Sequence, residues 1–74
     1  MPDLLSCGPV YTLTQNIGYA LPARSVRVRS SAAVETSQDN STFAAVILTN
    51  NEFETAAAFI RTTAATALVS VKVI

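Results

Sequence analysis

A chain of 74 residues makes one small domain, because domains seldom fall below about 50 residues and no second core fits in the remainder. Half of it is hydrophobic and 14% is charged, with five basic residues balancing five acidic ones, against roughly 25% charged in an average soluble domain. This excludes a multidomain enzyme, a repeat array and a disordered tail, and it leaves no overall basic field to hold a polyanion.

So short a chain buries only about 60% of its unfolded surface, and domains of this size commonly add a disulfide, a structural metal or a partner subunit. Cys7 is the only cysteine and histidine is absent, so an intrachain disulfide and a zinc site both fail. Subunit contact is what remains, and the sparse charge agrees with an apolar surface shared with other chains.

In chain order, residues 1–9 lack periodicity and end in Cys7-Gly8-Pro9, which reads as an extended N-terminal arm leading into a single domain over 10–74. Leu4-Leu5-Ser6-Cys7 matches a lipidation box, but no basic n-region or apolar core precedes it, so no lipid anchor is expected. Residues 10–20 are rich in branched and aromatic side chains, with Tyr11, Leu13 and Tyr19 on one face and a bend at Gly18. Leu21-Pro22-Ala23 breaks the pattern. Ser25-Val26-Arg27-Val28-Arg29-Ser30 then alternates as a strand, valines inward and arginines outward.

Ala33-Val34-Glu35-Thr36 and Thr42-Phe43-Ala44-Ala45-Val46-Ile47-Leu48 flank the turn formers Ser37-Gln38-Asp39-Asn40-Ser41, predicting a hairpin whose second strand is covered on both sides. Asn40-Ser41-Thr42 fits a glycosylation acceptor and marks an exposed turn. Thr49-Asn50-Asn51-Glu52 is a further turn. Residues 52–62 are ambiguous: Asn51 with Glu54 resembles a helix capping box, yet β-branched residues favour a strand over 57–62, paired with Leu68–Ile74 through Thr63-Ala64-Ala65-Thr66. The last segment alternates and ends in Val73 and Ile74, which predicts a sheet edge or an interface. No stretch is long enough to span a bilayer as a helix. The fold class expected is all-β, a small antiparallel sandwich or open barrel of six to seven short strands.

Without histidine the usual general base near neutral pH is missing. Glu35 and Asp39 could meet across the hairpin as a carboxylate pair, but acids on turns and strand faces are usually solvated, and Glu52 and Glu54 receive the same reading. Cys7 lacks any neighbouring base, and Gly8 and Gly18 are the only glycines, so neither a nucleophile nor a phosphate loop is expected. No enzyme activity, cofactor or metal is expected. Arg24, Arg27 and Arg29 form the one charge cluster. No aromatic lies between Arg24 and Phe43 to stack on bases, which disfavours nucleic acid. Two readings stay open: a plain solvated strand face, and an interface in which the arginines meet Glu35, Glu52 or Glu54 of a neighbour, with Val73 and Ile74 as further contact residues.

The chain is rich in alanine, threonine, serine and valine. With its 34–43 hairpin and its Ala58-Phe59-Ile60-Arg61-Thr62 strand, it resembles the small virion proteins of tailed bacteriophages. That resemblance implies a capsid decoration or cement protein, or another small head or tail component. Such a protein would be a homo-oligomer, for instance a trimer, bound to the major capsid protein or another virion protein. It would be located in the virion after assembly in the host cytoplasm and would have no active site. A small nucleic-acid-binding or adhesion β-domain is the alternative.

Overall fold

Val26, Val28 and Ser30 are buried while Arg27 and Arg29 between them are exposed, so the two-residue period of this strand sorts its side chains as the alternation predicts. The same sorting repeats along the chain. A computed structural model describes residues 4–22 and 24–74. Residues 1–3 of the expected arm and Ala23 of the expected break lie outside the described residues.

Among the described residues eight strands form, rather than six or seven: β1 (Val10–Thr14), β2 (Tyr19–Ala20), β3 (Val26–Ser30), β4 (Val34–Ser37), β5 (Ala44–Ala45), β6 (Glu52–Thr55), β7 (Phe59–Thr62) and β8 (Thr66–Val73). The surplus comes from corners that split longer runs. They make two antiparallel four-stranded sheets, β1-β8-β3-β6 and β2-β7-β4-β5. Strand 1 pairs with 8, 2 with 7, 3 with 6 and 4 with 5. The chain is therefore one long antiparallel ribbon doubled back at the β4–β5 turn, then folded over into two layers. This is the strand order of a jelly roll, an eight-stranded sandwich of two Greek keys.

Leu13, Val26, Val28, Ala67, Val69 and Val71 from the first sheet meet Val34 and Ile60 from the second, all fully buried or nearly so. Leu5 joins them, and its amide donates to Ala20 O at 2.9 Å. The described part of the N-terminal segment thus packs on its own protomer. The accessible surface is 4394 Å² for 7.8 kDa, close to the ~4,400 Å² of a folded monomer of that mass. The radius of gyration is 10.5 Å, against about 11 Å for a compact chain of this length. The protomer closes its own core, and the apolar surplus lies outside it.

Three expectations need correction. Ala57–Thr62 does not form a hairpin with Leu68–Ile74: β7 pairs with β2 and β4, and β8 with β1 and β3. Ile60 and Thr62 face Ala67, Val69 and Val71 from opposite layers, so residues 63–65 must cross between sheets rather than turn within one. The last strand is not an edge, since β8 lies between β1 and β3. The 42–48 run is not a strand covered on both sides. Only Ala44–Ala45 pair, both exposed, and the rest follows the flank of the sandwich with Val46 and Leu48 turned towards the core and Ile47 90% exposed. Residues 52–62 are two strands broken at 56–58, with no helix.

The Asn50-Asn51 turn comes out as expected, whereas the β1–β2 corner turns at Asn16, at φ 59°, rather than at Gly18. Asn50 and Asn51 have φ of 54° and 65°, and Thr49 and Glu52 exchange N–H···O bonds of 2.9 and 3.0 Å, a two-residue hairpin that needs left-handed backbone at both centres. At Gly18 a β-carbon would strike the Asn40 side chain, so the missing side chain lets the 38–41 loop close over the β1–β2 corner.

Val28→Ala is expected to lower stability by about 2–3 kcal/mol, because two buried methyl groups leave a void that the flanking valines fill only in part. Chemical denaturation of both proteins measures this. Asn51→Gly is expected to raise the melting temperature by a few degrees, since glycine takes the left-handed position of this turn without cost. A lower melting temperature would contradict the turn assignment.

Candidate interaction surface

The outward residues of the first sheet fall into rows fixed by register. Glu54, Arg27 and Lys72 lie side by side across β6, β3 and β8, and Glu52, Arg29, Ser70 and Val10 form the next row through to β1. Arg27 Nη2 donates to Glu54 Oε2 at 2.8 Å and Arg29 Nε lies 3.4 Å from Glu52 Oε2. The hydrogen bond and charge of Glu54 raise the basicity of Arg27 further. The acids that were expected to come from a neighbour are supplied within the chain. Two acids thus offset two of the three basic side chains in these rows, Arg27, Arg29 and Lys72.

Beyond the charged rows the face turns apolar. Val10 is 66% and Leu68 53% exposed, and with Arg29, Ser31, Ser70 and Asn50 they border a shallow depression of about 360 Å³. Arg24 sits in the exposed bend before β3, where its amide donates to Pro22 O. Val73 and Ile74 are exposed at the end of β8, Val73 opposite Val26. Of the five residues expected at an interface, only Arg27 and Arg29 share a row system; Arg24, Val73 and Ile74 flank one end of it.

On the outer face of the second sheet Arg61 Nε donates to Glu35 Oε1 at 2.8 Å, and its guanidinium lies 4.2 Å from the centroid of the Phe43 ring. This arrangement joins β7, β4 and the ribbon turn, and it commits Glu35. Asp39 is committed separately: its Oδ1 accepts the Ser41 and Thr42 amides, each at 2.9 Å, and the Ser37 hydroxyl at 2.8 Å. Glu35 and Asp39 are thus two structural carboxylates with different partners. Among the described residues no group of three His, Cys, Asp or Glu side chains could hold a metal ion. Cys7 is exposed in the bend before β1.

The intrachain pairs were open to sequence reasoning. Arg27-x-Arg29 and Glu52-x-Glu54 repeat with the same two-residue period, which is the signature of opposite charges facing each other on adjacent strands. Nothing in the sequence marks Arg61, Glu35 and Phe43 as neighbours, since only the doubled ribbon brings them together. Comparison with family models, curated proteins and solved structures returned no match.

The Thr42 amide, the Ser37 hydroxyl and the Ser41 amide together hold the Asp39 carboxyl down at about 2. Because the folded value lies below the ordinary value of 3.8, this carboxylate stabilises the fold above about pH 4 and loses that contribution as pH falls towards 2. Asp39→Ala is therefore expected to melt several degrees lower than wild type at pH 7, with the gap closing between pH 4 and pH 2. Thermal melts at stepped pH measure it, and a gap that ignores pH would show that the carboxylate is not the turn's support.

Proposed function

We propose that this chain is a non-enzymatic structural domain that works by protein contact, a small virion component of the kind that decorates or cements a bacteriophage shell. The observation that carries the reading is the placement of large aliphatic side chains on the outside of a protomer that already closes its own core. Val10, Leu68, Ile47, Val73 and Ile74 are each at least half exposed. Exposed apolar surface beside arginines is the usual composition of a contact region. The jelly-roll strand order supports the virion reading as architecture, being one that viral capsid domains use, although lectins and cupins use it too.

The acidic column of Glu52 and Glu54 lies directly beside Arg27 and Arg29, which offsets two of the three positive charges on this face, Lys72 being the third, and weakens the field that a phosphate backbone would need. That favours a protein partner over nucleic acid. In this reading the apolar residues supply the contact and Arg27 and Arg29 border it, where charge sets orientation and encounter rate.

Mass spectrometry of particles from the source that encodes the chain tests the assignment. The chain is expected in stoichiometric amount after density-gradient purification, and the isolated protein is expected to pass a DNA column at low salt. Arg27→Gln with Arg29→Gln, which sets no like charges opposite Glu54 and Glu52, is expected to keep the far-ultraviolet circular dichroism spectrum and to weaken particle binding about tenfold. Absence from particles, or retention on DNA that falls steeply with salt, would overturn the reading.

A further inference from the structure

We propose that β1 is a docking edge for β1 of a second copy of this chain, the two strands pairing antiparallel about a two-fold axis at Tyr11. The proposal deepens the adhesive reading above and rests on it.

Backbone direction along β1 is fixed by two observations. The Thr14 amide donates to the Tyr19 hydroxyl at 3.1 Å, away from β8. Leu68, which lies opposite Thr12, turns its own backbone towards β3, its carbonyl accepting the Ser31 amide and its amide donating to Ser31 Oγ. Successive residues of an antiparallel strand alternate in direction. Val10 and Thr12 therefore point both N–H and C=O outward from the sheet, and neither amide has a hydrogen-bond partner among the described residues.

The other edges argue by contrast. Strand β6 carries Glu52 and Glu54, so pairing with its own copy would set like charges together. Strands β2 and β5 have two residues each, and β2 is already extended by Leu4 and Leu5. Strand β1, Val-Tyr-Thr-Leu-Thr, has no charge and no proline and is made of residues that favour extended backbone. It lacks the guards that edge strands usually carry.

A two-fold axis at Tyr11 uses every free group. Val10 then faces Thr12 of the second copy, and each such pair exchanges both N–H···O bonds, while the two Tyr11 residues meet at the closer, non-bonded position on the inner side. The Thr14 end, crowded by Tyr19, falls opposite Gly8 of the second copy, where even an added β-carbon would touch nothing. On the outer side Val10 comes to lie beside Thr12 of the second copy, with Leu68 of that copy one strand beyond. A five-residue strand pair buries less than the ~1,200 Å² of a standard interface, so the association is weak, with a dissociation constant of roughly 10⁻⁴ M.

Sedimentation equilibrium and amide exchange by NMR on the full chain, from micromolar to millimolar concentration, test the pairing. The expected result is a monomer–dimer equilibrium in which the Val10 and Thr12 amides become protected as dimer forms, while Thr14 does not change. Thr12→Pro deletes only an outward N–H and leaves the β1–β8 ladder intact; it is expected to weaken dimerisation at least tenfold. Should that variant fail to fold, Thr12→Lys, which places like charges diagonally across the axis, is expected to do the same. Three results overturn the proposal: a wild-type monomer at every concentration, a dimer whose Val10 and Thr12 amides exchange freely, or a dimer indifferent to both substitutions. Protection of those amides only on particle binding would assign the edge to a shell protein and also overturn it. A monomer that is still stoichiometric in particles ends the pairing but leaves the adhesive reading intact. A dimer absent from particles ends that reading and leaves the pairing.

Discussion

Every pairing in this protein is laid out from the point where the chain doubles back between β4 and β5. The turn there is held by polar groups of its own: Ser37 Oγ accepts the Asp39 and Asn40 amides, and Asp39 Oδ1 accepts those of Ser41 and Thr42. Once Thr36 is set against Ala44, the register of the ribbon is constrained outward from it. A slip of one residue would turn the whole inward set of each strand to solvent. The loop thus governs which residues become core, although it contributes little to the core itself. Gly18 and Asn40 then tie the tip of the ribbon to the corner between β1 and β2.

The core that results is built from small, stiff side chains. Valine and isoleucine lose little rotamer freedom when a strand orders them, and they fill the gap between two twisted sheets in one interlocking layer. Aromatic side chains stay at the margin, where Tyr11 and Tyr19 use their hydroxyls to accept the Ser6 and Thr14 amides. The buried polar residues Ser30, Ser37 and Thr62 each have a partner: Thr62 Oγ1 donates to Ala33 O at 2.9 Å, Ser30 Oγ to Ala32 O at 2.7 Å and Ser37 Oγ to Asp39 Oδ1 at 2.8 Å. Closure of the protomer follows from this economy of volume. It also explains why the remaining aliphatic residues are found outside: the space between the sheets is already taken.

Strand alternation was legible in the sequence wherever both faces of a strand had distinct environments, as in Val26–Ser30 and Leu68–Lys72. The ribbon turn and the Asn50-Asn51 turn were legible from turn chemistry. Partner choice was not. Thr63-Ala64-Ala65 and Ala56-Ala57-Ala58 contain no proline or glycine, so nothing local distinguishes a corner that crosses between layers from a hairpin that stays within one. The distinction rests on which valines face which, a property of the closed sandwich. The interaction surface was legible in part. Alternation puts Arg27 and Arg29 outward, but the turn and helix-cap signals around Asn51 and Glu54 mask β6 and with it the acids opposite them. The free backbone of β1 is a matter of hydrogen-bond parity, invisible to side-chain pattern.

The nested pairing has a consequence for how the chain folds. Thr14 and Thr66 are far apart along the sequence, yet the loop they must close is short once Ala20 and Phe59 have met, and that loop in turn is short once Arg29 and Glu52 have met. Entropy therefore favours zipping from the inside outward. During synthesis the middle hairpin leaves the ribosome with its two halves in hand, whereas β1 waits exposed until β8 has been made. The earliest of the eight strands to be made is the last to be paired.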